Sequence, residues 1–107
     1  MLFIESSRFS KHLAELLDDE AYRLLQAKLT LCPDSGSLIP GTGGLRKLRW
    51  PRRGTGKRGG LRVIYYWWTE RDNIHLLSIY AKSQAPDLTA REAQQLRREI
   101  EALVQHD

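Results

Sequence analysis

Arg62-Val63-Ile64-Tyr65-Tyr66-Trp67-Trp68 and, after the turn Glu70-Arg71-Asp72-Asn73, Ile74-His75-Leu76-Leu77-Ser78-Ile79-Tyr80-Ala81-Lys82 are the stretches on which the fold turns. The first is β-branched and aromatic almost throughout, the composition that suits a pleated surface packed on a core. The second follows a short polar turn and reads as its antiparallel neighbour. Just upstream, Leu45-Arg46-Lys47-Leu48-Arg49-Trp50 also alternates, with Lys47 and Arg49 on one side and Leu48 and Trp50 on the other. Together the three form an antiparallel meander. Alternation along the last strand predicts Ser78, Tyr80 and Lys82 on one face and Leu77, Ile79 and Ala81 on the opposite one.

Working outward, the run Leu2-Phe3-Ile4 ends at Glu5-Ser6-Ser7, as a first strand closed by a helix cap would. Phe9, Leu13, Leu16 and Leu17 then recur at i, i+4, i+7 and i+8, the stripe of an amphipathic helix. Asp18-Asp19-Glu20 opens a second helix, where acidic groups complement the exposed N–H groups. It carries Tyr22, Leu25 and Leu29 on one face, with Leu24 and Leu31 widening that face, and it stops at Cys32-Pro33. The pair forms an αα-hairpin. Residues 34–44 are rich in Asp, Ser, Gly and Pro and read as loop, and 51–60 read as a Gly/Arg loop that is mobile when nothing is bound. Thr89-Ala90-Arg91-Glu92 is a capping-box pattern opening a last helix, with Ala93, Leu96, Ile100, Leu103 and Val104 as its apolar positions. The predicted order is β-α-α-β-β-β-α, an α+β fold: an antiparallel sheet, the N-terminal αα-hairpin packed on one face, and a C-terminal helix. The second face is then free for Lys47, Arg49, Arg62, Tyr80 and Lys82.

The 107 residues suit one domain, 1–107, with roughly two thirds of the unfolded surface buried in a single core. Cys32 is the only cysteine, which excludes a disulfide framework, a zinc ribbon and a Cys-x-x-Cys redox pair. No apolar run approaches the roughly 18 to 20 residues of a membrane span, and the chain reads as soluble and cytoplasmic. Net charge is +4, but no acidic residue stands between Asp34 and Glu70, an interval that holds Arg46, Lys47, Arg49, Arg52, Arg53, Lys57, Arg58 and Arg62. One block is therefore +8 and the remainder −4.

Several motifs fail on context. Gly54-Thr55-Gly56-Lys57-Arg58-Gly59 matches G-x-G-x-x-G, yet a strand rather than a helix follows, so no helix N-terminus can receive a pyrophosphate. Gly56-Lys57 is followed by Arg58, not Ser or Thr, which excludes a P-loop. His12 falls on the polar side of the first helix and His106 in the tail, and His75 has the opposite strand parity from Tyr80 and Lys82. No His, Cys and carboxylate cluster suggests a metal, and no Ser-His-Asp set is placed together.

Eight cations without an acid suit a polyanion, and the interleaved Trp50, Tyr65, Tyr66, Trp67, Trp68 and Tyr80 are either core or stacking platforms for unpaired RNA bases. Lys and Arg fixed on a strand face go further than binding requires. RNA carries its own nucleophile in the 2′-OH, so an enzyme need only align it, stabilise the extra charge on phosphorus and assist proton transfer. Neither metal nor cofactor is needed for that chemistry.

The blocks Ile39-Pro40-Gly41-Thr42-Gly43-Gly44-Leu45-Arg46-Lys47-Leu48-Arg49, Gly56-Lys57-Arg58-Gly59-Gly60-Leu61-Arg62-Val63-Ile64-Tyr65-Tyr66, Leu77-Ser78-Ile79-Tyr80-Ala81-Lys82-Ser83 and Asp87-Leu88-Thr89 together resemble the HigB branch of the RelE/ParE superfamily of bacterial type II toxins. The resemblance implies a RelE-like fold and a ribosome-dependent mRNA endonuclease (mRNA interferase) acting in the A site, with the 70S ribosome and mRNA as partners. It also implies a cognate helix-turn-helix antitoxin, encoded adjacently, through which alone the toxin meets operator DNA. Carried over by position, the catalytic cations are Lys47 and Arg49, Arg62, and Lys82. The tyrosine that several such toxins place near the C-terminus has no counterpart beyond Lys82, which leaves Lys57 and Tyr80 as candidates for proton transfer. Arg46, Arg52, Arg53 and Arg58 are then assigned to gripping RNA or the ribosome. The alternatives are a ParE-like gyrase poison without nuclease activity, which has no use for a coherent cationic face, and a non-catalytic RNA-binding module.

Overall fold

The aromatic stretch is the middle strand of a five-stranded sheet. A computed structural model describes residues 1–52, 60–84 and 87–105. In chain order the elements are β1 (Leu2–Glu5), α1 (Ser7–Leu16), α2 (Asp19–Leu31), β2 (Ser37–Leu38), β3 (Leu45–Trp50), β4 (Leu61–Trp68), β5 (Asn73–Ala81) and α3 (Ala90–Gln105). The spatial order is β1-β5-β4-β3-β2. Arg53, Lys57, Arg58, the G-x-G-x-x-G stretch and His106 lie outside the described residues, and so does most of the loop expected to be mobile.

The α+β class and the meander β3-β4-β5 are as expected, with three details corrected. The sheet is mixed, because β1 runs parallel to β5, with Leu2 opposite Asn73 and Glu5 opposite Leu76. A parallel pair needs a crossover, and the helices between β1 and β3 supply the length for the chain to return. The loop over 34–44 contributes the short strand β2, pairing Ser37 with Lys47 and Leu38 with Arg46. Its approach is set by Tyr65, whose hydroxyl donates to the Pro33 carbonyl (2.7 Å) and accepts from the Gly36 N–H (2.9 Å). A side chain on Gly36 would collide with that ring.

Third, helices occupy both faces. α1 starts at Ser6, whose hydroxyl accepts from the Phe9 N–H, and α2 at Asp18, whose carboxylate accepts from the Ala21 N–H. Their apolar stripes place Phe9, Leu17, Leu25 and Leu29 against Leu61, Val63, Tyr65, Leu76 and Ile79. Each such fully buried side chain contributes about 1.5–3 kcal/mol. Leu24 and Leu31, expected to widen the stripe, are instead 51% and 82% exposed. They sit beside the stripe on a helix whose sheet-facing width is filled by Leu25 and Leu29.

α3 lies on the opposite face, where Leu96 and Ile100 pack with Leu45, Ile64 and Leu77, so that face is half covered rather than free. Leu103, placed on the stripe by periodicity, is exposed, while Val104 packs at its edge. Thr89 and Glu92 exchange the two reciprocal bonds of a capping box, Thr89 N–H to Glu92 Oε1 (2.9 Å) and Glu92 N–H to Thr89 Oγ1 (3.1 Å).

A β-bulge explains the remaining departure. Ile64 faces Ser78 but Tyr65 faces Leu76, so Leu77 is an extra residue in β5. Strict alternation puts Leu77 with Ile79 and Ala81; the bulge turns it to the α3 side. The same slip sets His75 opposite Tyr66 and so on the face shared by Tyr80, contrary to the parity expected of it.

Candidate active site

Register brings three residues into one row across neighbouring strands: Arg49 on β3 is opposite Arg62 on β4, and Arg62 is opposite Tyr80 on β5. Directly paired residues point to the same face, with strands about 4.8 Å apart. The row lies on the α3 side of the sheet, with Tyr80 packed against the edge of the cluster that α3 closes. Arg62 is 6% exposed, held in the middle strand with Nη1 donating to the Leu61 carbonyl at 3.3 Å. Gly60 shapes the start of this strand. Its φ is +55° and a Cβ there would stand 2.6 Å from the Trp50 carbonyl oxygen. That glycine carbonyl accepts the Lys82 N–H (3.0 Å), which keeps Lys82 in line with β5 although the strand ends at Ala81.

Lys47 and Lys82 flank the row from two strands that are not neighbours, and they converge on one carboxylate. Lys82 Nζ is 2.6 Å and Lys47 Nζ 3.8 Å from Asp87 Oδ1. The hydrogen bond from Lys82, reinforced by the charges of Lys47, Lys82 and Arg62, holds the Asp87 carboxyl below its ordinary value. Leu88 packs against the α3 cluster and Thr89 caps the helix, so the residues after Asp87 are anchored.

Tyr80 closes the row. Its hydroxyl oxygen is buried without a hydrogen-bond partner. Burial raises its pKa; the Leu88 amide pulls the other way but stands outside hydrogen-bonding geometry, and the Asp87 and Arg62 charges act with opposite signs. The phenol is therefore protonated at neutral pH.

The structure thus brings together Lys47, Arg49, Arg62, Tyr80 and Lys82. It does not bring Arg46 to them. Arg46 has the opposite parity and donates to the carbonyls of Asp34 (3.2 Å) and Gly36 (2.8 Å), pinning the approach to β2. Arg52 lies by Trp50 and Leu24, lining a hollow of about 470 Å³ on the α1–α2 side. A second hollow, about 490 Å³, starts at Lys47 and Arg49 and runs along Ser35, Ser37 and Pro40 at the β2 edge. Of the interleaved aromatics, Tyr65 and Trp68 are buried and Trp50, Tyr66, Trp67 and Tyr80 pack against the two cores; Tyr80 joins the cationic row because it stands opposite Arg62 in register. His75 is buried beside Trp68, ring centroids 6.1 Å apart, and burial lowers its pKa. Among the described residues, no group of three His, Cys, Asp or Glu could hold a metal ion.

Asp87 is the residue that alternation and composition missed as part of the site. The signal was present: it is the only acid between Asp72 and Glu92, five residues after Lys82.

The mixed five-stranded sheet, with two helices on one face and a third across the other, is a RelE-like fold. Among solved structures, the chain is similar to the E. coli toxin RelE, in a form with two arginines replaced by alanine, in the free state. The TM-score is 0.58 and the identity 15%, over 92% of this chain and 95% of that one. No family model matches the chain. Among the described residues, no helix is long and apolar enough to cross a membrane.

Proposed function

We propose that this chain is the toxin of a type II toxin–antitoxin pair, of the HigB branch, and that it is a metal-independent endoribonuclease cutting mRNA in the ribosomal A site. The observation that carries the reading is the row Arg49, Arg62 and Tyr80 flanked by Lys47 and Lys82 on one sheet face. A RelE-like fold supports it. In the reaction the ribose 2′-oxygen bonds to the adjacent phosphorus and the bond from phosphorus to the 5′-oxygen breaks, giving a 2′,3′-cyclic phosphate and a 5′-hydroxyl. Arg62, with Arg49 and the two lysines, offsets the charge that builds on the phosphoryl oxygens. A phenol with a raised pKa donates rather than accepts, so Tyr80, whose buried hydroxyl substrate binding must first uncover, acts as a hydrogen-bond or proton donor toward the phosphoryl or leaving 5′-oxygen. Lys57 remains the candidate proton acceptor for the 2′-OH. Arg52, Arg53 and Arg58 serve ribosomal RNA contacts. The protein works in the cytoplasm, and its cognate antitoxin, a helix-turn-helix protein encoded next to it, neutralises it and carries the complex to operator DNA.

Arg62→Ala and Lys82→Ala test the reading, the second at a partly exposed position where folding is little at risk. Each is expected to abolish growth inhibition and to slow codon-linked mRNA cleavage by about 10²- to 10³-fold, the scale of losing one charge-stabilising donor, with circular dichroism unchanged for Lys82→Ala. Undiminished cleavage in both variants overturns the assignment. Altered DNA supercoiling without translation arrest would replace it with a gyrase poison.

A further inference from the structure

Asp87 has no evident reason to be where it is on grounds of stability. Its side chain is 56% exposed, and exposed ion pairs contribute little to folding. Yet it is the carboxylate on which Lys47 and Lys82 meet, though β3 and β5 are separated by β4 and so stand roughly 9–10 Å apart. Two ammonium groups starting that far apart repel and, left alone, spread toward solvent. A carboxylate between them reverses the sign of the local interaction and draws both arms inward over the middle strand, above Arg62. The Arg62 charge is close enough to act on the same carboxylate. Two features fix it there independently of the lysines: Leu88, partly buried, packs against the α3-side cluster, and Thr89 is held in the capping box.

We propose that Asp87 is a positioning residue of the nuclease, holding the Lys47 and Lys82 ammonium groups converged over Arg62 so that the reacting phosphate meets a preformed cationic cradle. The proposal rests on the nuclease reading above. Asp87 does not touch the reacting atoms; it acts through the two lysines. Because the carboxylate also adds a negative charge to a site that binds a polyanion, its removal strengthens binding while it disorders the cradle. Affinity and rate therefore move in opposite directions, a pattern that neither a structural tie nor a binding contact produces.

The experiment is single-turnover cleavage of an mRNA programmed on 70S ribosomes by the full chain, comparing wild type with Asp87→Asn and Asp87→Glu. Asp87→Asn is expected to lower the maximal rate by about 10-fold or more with a half-saturating concentration no higher than wild type, and an unchanged thermal midpoint. Asp87→Glu, which keeps the charge, is expected to recover most of the rate. An Asp87→Asn variant that cleaves as fast as wild type, or faster, overturns the proposal: the lysines then converge without help, or the carboxylate competes with the phosphate. A rise in half-saturation with no loss of maximal rate also overturns it. Lys82→Ala and Arg62→Ala run alongside; if these too cleave at full rate, the nuclease reading has failed rather than the role of Asp87 within it.

Discussion

At the scale of single residues, Tyr80 carries the clearest tension between stability and use. A buried hydroxyl without a partner costs about 1–3 kcal/mol relative to a satisfied one. Nothing in the packing around it requires an oxygen. Tyr80→Phe is therefore expected to leave the urea midpoint unchanged or to raise stability by up to about 1 kcal/mol. The same variant is expected to cut mRNA about 10- to 100-fold more slowly. A variant that is more stable and equally active would remove Tyr80 from the chemistry. The strand-face assignments of Lys47 and Arg49 were legible because side chains alternate with period 2, a property local to β3. Arg46, one position away, was assigned to RNA on its charge alone. Its guanidinium satisfies two loop carbonyls, and no local pattern announces a partner ten or twelve residues back. Asp87 escaped for the same reason, its partners lying five and forty residues upstream in sequence.

At the scale of elements, the capping box at the start of α3 does two jobs. It satisfies backbone donors of the first turn, and it sets where the chain bearing Asp87 leaves the sheet face. Thr89→Ala is expected to cost about 1 kcal/mol of stability in chemical denaturation. It should also slow cleavage, while a cap lost on the opposite face of the sheet, Asp18→Ala at the start of α2, should lower stability without touching the rate. A Thr89→Ala protein with full activity would show that Leu88 alone holds the segment. The helices were legible from capping residues and apolar stripes, and the periodicity went wrong only at the margins, at Leu24, Leu31 and Leu103. A stripe states which side of a helix is apolar; how wide a strip is covered depends on the sheet beneath. The bulge at Leu77 was not legible at all. It exists because β5 must stay paired to β4 while also offering a leucine to α3, and that demand comes from the packing.

Across the whole molecule, buried phenols give the protein an alkaline limit. Burial, joined by the hydrogen bond to Glu5 and its charge, pushes the Tyr22 hydroxyl far up, and burial raises Tyr65 and Tyr80 as well. Each folded-state pKa lies above the unfolded value near 10. The folded chain thus binds these protons more tightly than the unfolded one. Their stabilising contribution is complete below about pH 10 and is lost as pH rises above it toward the folded values. Urea midpoints are expected to be flat between about pH 8 and 9.5 and to fall steeply above about pH 10.5, with phenolate absorbance rising together with unfolding. Phenolate absorbance that rises in full well before unfolding would show the three phenols to be accessible in the folded protein.

The same scale separates local from non-local information. Strand and helix identity, the meander, the charge block and the face of Lys47 and Arg49 follow from residue spacing, because alternation, caps and apolar stripes act over a few neighbouring positions. The parallel pairing of β1 with β5, the cover of α3 over half the second face, the bulge that turns Leu77 and His75, and the meeting of Lys47, Lys82 and Asp87 depend on contacts between segments far apart in the chain. Those contacts form only when the sheet and its helices compete for the same surface. A basic stretch was thus readable as a chemical tendency, and packing decided which of its cations share the sheet face with Arg62 and which, like Arg46, tie down a loop.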